Sequence, residues 1–107
     1  MSTAEPAGQV FAALADPTRF RVLALLAERG EATATTLAGD LPVSRPAVIK
    51  HLGVLDRAGL VEARRQGKEV RYTVRTGPLQ ATAAWLDDLA TDWDARLRRL
   101  KALAEEG

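Results

Sequence analysis

The sequence predicts a mainly α (α+β) domain whose elements follow the order α-α-(β)-α-α-β-β-α. Three observations carry this. The stretch Ser44 to Leu60 has a helical apolar period with a start and a stop signal. The stretch Leu60 to Arg75 alternates apolar and polar residues on either side of a glycine. From Leu79 to Ala104, apolar residues recur every seven positions.

The rest of the chain is organised around the first of these stretches, S-R-P-A-V-I-K-H-L-G-V-L-D-R-A-G-L. Ser44 suits the N-cap, because its hydroxyl accepts a hydrogen bond from a first-turn backbone N–H. Pro46 falls in that first turn, where a missing N–H costs little. Val48, Leu52 and Leu55 recur at i, i+4, i+7 and line one face. The other side carries Pro46, Ala47, Lys50, Gly53 and Arg57, with Arg45 and His51 at the edges of the apolar stripe. Gly59 is placed to stop the helix. One side must be buried. The other is short, polar and basic, the form of a helix that enters the major groove of DNA.

In chain order, residues 1–8 are small and polar and read as a disordered tail, leaving 9–107 as one domain. Gln9 to Ala15 is a short helical run with Val10, Phe11 and Leu14 on one face. Asp16-Pro17 breaks it and starts a second helix to about Arg29, closed by Gly30. Phe20, Leu23 and Ala24, widened by Val22, Leu25 and Leu26, make this helix apolar nearly all round, so we expect it to be buried between other elements. Glu31 to Ala34 reads as a short edge strand. Thr35 then caps a short helix to about Asp40, with Leu37, Ala38 and Leu41 inward. Leu41-Pro42-Val43 turns the chain into Ser44, which makes a helix-turn-helix.

After Gly59, Leu60 to Arg65 and Glu69 to Arg75 flank Gln66-Gly67-Lys68 as a β-hairpin. Val70, Tyr72 and Val74 face one way; Glu69, Arg71, Thr73 and Arg75 face the other. A hairpin directly after the second helix of a helix-turn-helix is the wing of a winged helix-turn-helix. Thr76-Gly77-Pro78 then leads into one helix over 78–104. Leu79, Leu86, Trp93 and Leu100 repeat every seven residues; Ala83, Ala90, Leu97 and Ala104 follow four later, and Leu89 thickens the stripe. Such a seam predicts pairing with a second copy of the chain.

Length and composition set the outer bounds. The chain has 107 residues and is 47% hydrophobic, enough for one domain with a modest core. It has no cysteine and one histidine, which excludes disulfides, thiolate sites and multi-histidine metal sites within one chain. No apolar run is long enough to span a membrane, and the N-terminus lacks a basic region followed by an apolar core. We therefore expect a cytoplasmic protein. Neither a metal nor another cofactor is expected, and no effector is identified. There is no Gly-rich phosphate loop and no catalytic pair beside the lone histidine, which argues against an enzyme. Net charge is only +1, but it is unevenly spread. Pro42 to Thr76 holds eight bases against three acids, a net of +5, while the rest of the chain is −4. A basic centre between acidic arms predicts one surface that faces a polyanion.

Each candidate residue also has a plainer reading. Ser44, Arg45 and Lys50 are expected to anchor the helix start on DNA, against a merely solvated basic face. Pro46 and Ala47 offer apolar contact to thymine methyls. His51 either bonds DNA or satisfies a neighbouring backbone group. Arg64, Arg65, Lys68 and Arg71 grip a groove or phosphates, or protect an edge strand by charge. Trp85 and Trp93 read as packing residues before they read as a ligand pocket. Asp87, Asp88, Asp92 and Asp94 read as a solvated face before a hard-cation site.

With these residues in place, the chain resembles the ArsR/SmtB winged-helix transcriptional repressors. The likeness lies in L-A-D-P-T-R-F-R-V-L-A-L-L (14–26), L-A-G-D-L (37–41), S-R-P-A-V-I-K-H-L-G-V-L-D-R-A-G-L-V (44–61) and R-R-Q-G-K-E-V-R-Y (64–72). The last helix, with its two tryptophans, is similar to one branch of that family. The resemblance implies a homodimer formed through the first and last helices, with double-stranded DNA as partner and an imperfect palindrome as site. The pairing surface would comprise Val10, Phe11, Leu14, Leu79, Leu86, Leu89, Trp93, Leu97 and Leu100. Recognition helices about 34 Å apart would then reach successive major grooves. Metal-sensing members place cysteines near positions 37–41, or Asp and His ligands in the last helix. This chain has neither set, so the resemblance implies no metal sensing. The competing expectation is a winged-helix adaptor that binds protein rather than DNA.

Overall fold

The computed structural model describes residues 4–106. Its elements are α1 (Ala4–Leu14), α2 (Pro17–Arg29), β1 (Ala32–Thr33), α3 (Ala34–Gly39), α4 (Arg45–Arg57), β2 (Val61–Gln66), β3 (Glu69–Val74) and α5 (Gly77–Glu106). The strands form one antiparallel sheet in the order β1-β3-β2. The expected order of elements is therefore the observed one.

Side-chain spacing decides which face of each helix turns inward. On α4, Val48, Leu52 and Leu55 are fully buried. They meet Val22 and Leu26 of α2, Leu37 of α3, and Leu60 and Val61 where the wing begins. Each such side chain taken out of water contributes about 1.5–3 kcal/mol. The recognition helix is thus held by three other elements through one stripe, which leaves its opposite side to solvent.

The caps fix where the helices start. Asp16 accepts the backbone N–H groups of Thr18 at 2.9 Å and Arg19 at 3.1 Å at the start of α2. Gly30 closes α2 at φ 83°, a conformation that disfavours side chains, and donates its N–H to the Leu26 carbonyl. Ser44 caps α4 as expected, accepting from the Ala47 N–H at 3.3 Å. The strand register pairs Gln66 with Glu69, so the wing turns on two residues, Gly67 and Lys68. Gly67 takes φ 63°, which matches the glycine-first pattern of a tight hairpin.

Several expectations need correction. The first helix starts at Ala4, not Gln9, so residues 4–8 are helical rather than tail. Ala7, Val10 and Ala13, spaced by three, form its buried side. Residues 1–3 of the expected tail lie outside the described residues. The cap of α3 is Thr33, not Thr35: its Oγ1 accepts the Thr36 N–H at 3.2 Å. Thr33 still ends a strand and has the extended backbone that a cap requires. Burial of α2 is one-sided. Val22, Leu23 and Leu26 are buried, but Phe20 is 55% exposed and Ala24 is exposed, because no element among the described residues covers that side.

The expected pairing surface splits in two. Val10 is buried in its own protomer's core, and Leu14 and Leu79 are half-buried against that core, since α1 packs on α2 and α5 of the same chain. They are core residues rather than outward-facing ones. Phe11, Leu86, Leu89, Trp93, Leu97 and Leu100 stay exposed. Phe11 meets Trp85 edge-on, with ring centroids 6.2 Å apart, so Trp85 is a packing residue of the α1–α5 junction. The 30-residue α5 outruns the body, giving an elongated molecule of 70 × 29 × 20 Å.

Candidate nucleic-acid interface

The exposed side of α4 is built by exclusion. With Val48, Leu52 and Leu55 committed to the core, the 3.6-residue period leaves Pro46, Lys50 and Arg57 outward, and all three are exposed. Arg45 is also exposed, but it is not free to swing. Its Nε donates to the Thr35 hydroxyl on α3 at 3.0 Å, which anchors the guanidinium beside the helix start. Ser44 Oγ accepts the cap bond, which leaves its O–H free to donate. Its contribution here is to fix the first turn.

Two α4 residues sit less openly than expected. Ala47 is half-buried. His51 is half-buried too, three residues after Val48 and four before Leu55, which puts it on the shoulder of the buried stripe. It turns toward the start of α2. There, the backbone N–H groups of Arg19 and Thr18 hold the Asp16 carboxyl below its usual range, and the nearby His51 adds to the effect. This placement separates His51 from the more exposed Lys50.

The wing has two faces, and they differ in charge. Cross-strand pairs Arg64–Arg71 and Glu62–Thr73 share one face; Ala63–Tyr72 and Arg65–Val70 share the other. On the first face, Glu31 lies between the two arginines, 3.2 Å from Arg71 and 3.6 Å from Arg64. Arg71 also pairs with Glu69 at 3.1 Å, and Arg75 with Glu62 at 3.6 Å. The face expected to be basic is therefore largely neutralised. The cause is β1: Ala32 pairs with Tyr72 and Thr33 with Arg71, which delivers Glu31 to the hairpin. Arg64 and Arg71 drop out as free cations. Arg65 and Lys68 are exposed and have no ion pair among the described residues.

Between α3, α4 and the wing runs a trough of about 500 Å³. Arg45 and Ile49 line it from α4, Thr35 and Thr36 from α3, and Lys68, Glu69, Val70 and Tyr72 from the hairpin. Ile49 is 40% exposed and Val70 37%. Neither they nor Thr35 and Thr36 were among the expected contacts. A signal for Ile49 existed, because it is a large apolar residue that falls off the Val48–Leu52–Leu55 stripe. Unpaired cations around an open trough can bond phosphates, and the hydroxyls can add neutral hydrogen bonds.

Among the described residues no group of three or more acidic or histidine side chains is arranged to hold a metal ion, and no helix is long and apolar enough to cross a membrane. On α5, Trp93 is exposed, with the Arg96 guanidinium 5.8 Å from its ring centre.

Comparison with known proteins agrees with this geometry. The helix-turn-helix domain family matches residues 14–64, from the end of α1 into the wing. An uncharacterized HTH-type transcriptional regulator of Methanocaldococcus jannaschii is 39% identical over 83% of this chain and 100% of its own length. The arsenical resistance operon repressor of Escherichia coli is 38% identical over 89% of this chain and 79% of its own. Among solved structures, an ArsR-like transcriptional regulator from Rhodococcus sp. RHA1 matches with a TM-score of 0.88 at 41% identity, covering 97% of each chain. Fold and sequence agree over most of the chain, and the chain belongs to the ArsR family of winged helix-turn-helix transcriptional regulators.

Proposed function

We propose that this protein is a cytoplasmic transcriptional repressor that binds an imperfect palindromic DNA site as a homodimer. The observation that carries this is the set of unpaired cations on α4 and the wing. Among the described residues, Arg45, Lys50 and Arg57 on α4 and Arg65 and Lys68 on the wing have no carboxylate partner, while Arg64, Arg71 and Arg75 do. A fold that neutralises one face of its wing and leaves the recognition side positive is arranged for phosphates. The E. coli relative is a repressor, which supports repression rather than activation.

Dimerisation is supported by α5. Leu86, Leu89, Trp93, Leu97 and Leu100 are 44–57% exposed along one helix, more apolar surface than a lone chain keeps in water without need. The charge order fits a second copy. Asp87, Asp88, Asp92 and Asp94 precede Ala95; Arg96, Arg98, Arg99 and Lys101 follow it. Two such helices crossing antiparallel near Ala95 bring each acidic half against a basic half. The same stripe would also serve a protein-binding adaptor, but that reading leaves the unpaired cations of α4 and the wing without a role.

The test is selection of bound DNA from a random pool with the purified chain, followed by mobility-shift titration. A two-fold-related site should emerge, and Lys50→Ala should weaken its complex. Enrichment of no sequence, with a solution mass of one chain at working concentration, would refute the proposal.

A further inference from the structure

We infer that Ile49 is a base-reading residue of α4 and that it recognises the methyl group of a thymine. This rests on the DNA-binding reading above and adds to it a named contact. Ile49 is anomalous on its helix. It is β-branched, which gains nothing in a helix, and 40% exposed, yet it belongs to neither the core nor the α5 stripe. It sits one turn after Arg45 and shares with it the helix edge that opens on the trough. Val70, also exposed, lines the same trough from the hairpin, and Arg45 and Lys68 add positive charge.

Glu69 also lines the trough, but its carboxylate is paired with Arg71, which leaves Arg45 and Lys68 as the unpaired charges there. An apolar spot beside them fits a ligand that is anionic overall and apolar at one point. In the major groove the base edges offer polar atoms at every pair, and the thymine C5-methyl is the one apolar feature. Phosphates fall to Lys50, Arg45 and Lys68, while Ile49 supplies a contact that depends on sequence. The residues expected for this role are less suited to it. Ala47 is half-buried, and Pro46 lies on the outward side of α4 away from the trough.

The experiment uses the full chain and the site obtained by selection. Each thymine is replaced singly by deoxyuridine, which removes the methyl and leaves every hydrogen bond. Binding is read by fluorescence anisotropy. Wild type should lose about fourfold in affinity per half-site at one thymine position, the worth of one buried carbon. Ile49→Ala should bind the thymine and uracil forms equally, and Ile49→Val should keep part of the discrimination. Since the side chain is exposed, both variants should fold, which circular dichroism checks. Equal binding of wild type to every uracil-substituted site would overturn the inference. So would an Ile49→Ala variant that keeps the wild-type penalty. If selection yields no site at all, the DNA-binding reading fails first, and that outcome is distinct from a specific site insensitive to methyl removal.

Discussion

Replacing Lys68 by Gln should flatten the salt dependence of DNA binding, whereas replacing Arg71 by Gln should not. Both are cations of the wing, three residues apart, and charge counting treats them alike. The structure does not. Lys68 stands at the hairpin tip with no ion pair among the described residues, while Arg71 bonds Glu31 at 3.2 Å and Glu69 at 3.1 Å. Each phosphate contact adds about −0.9 to the slope of log affinity against log salt. A dimer that loses Lys68 from both wings loses two contacts, so the slope should become shallower by about 1.8. From 50 to 200 mM salt that corresponds to about twelvefold less decline in affinity. Arg71→Gln should leave the slope nearly unchanged. It should cost at most about 1 kcal/mol of stability, because the pair is partly exposed and Glu31 retains Arg64. Anisotropy titrations at four or five salt concentrations measure both slopes. If the two variants flattened the line equally, the division of the wing into a paired and an unpaired face would be wrong.

Three further outcomes are expected. Leu52→Ala empties a fully buried position in α4 and should cost about 2–5 kcal/mol in urea unfolding, with a matching loss of DNA binding. Leu97→Glu together with Leu100→Glu places charge in the exposed α5 stripe and should convert a dimer to single chains by sedimentation, with helix content unchanged. Asp16 has a native carboxyl pKa held below its usual value, chiefly by the Arg19 backbone N–H. Its ionised form therefore adds stability above about pH 4, which is lost as pH falls through the lowered native value. Asp16→Asn keeps a capping side chain without that titration. The advantage of wild type over this variant should hold steady from neutral pH to about pH 5 and shrink below about pH 4.

How much was legible beforehand depended on the range of the interaction. The α4 stripe, the Ser44 cap, the Gly30 stop and the alternation of the hairpin were all readable, because each is a pattern within a few residues. Small misplacements occurred where two local signals competed. Thr33 and Thr35 both suit a cap, and the end of a strand settled it in favour of Thr33. The small residues of 4–8 look like tail until Ala7, in the first turns of α1, is seen to be buried. His51, read at the edge of the stripe, is half-buried there.

By itself, the order of residues determined the elements, the buried stripe of α4 and the excess of positive charge between Pro42 and Thr76. These follow from helical and strand periods and from counting, which need no knowledge of distant neighbours. Only the tertiary structure decided which of those charges remain available. β1 carries Glu31 across to the wing, where with Glu69 it pairs Arg64 and Arg71, while the Thr35 hydroxyl positions Arg45 without removing its charge. It also decided that α1 spends Val10 on its own core and that Ile49 is left facing a trough. The reason is physical: an ion pair or a covered apolar side chain depends on what stands within a few ångströms in space, and neighbours forty positions away leave no mark on a local pattern.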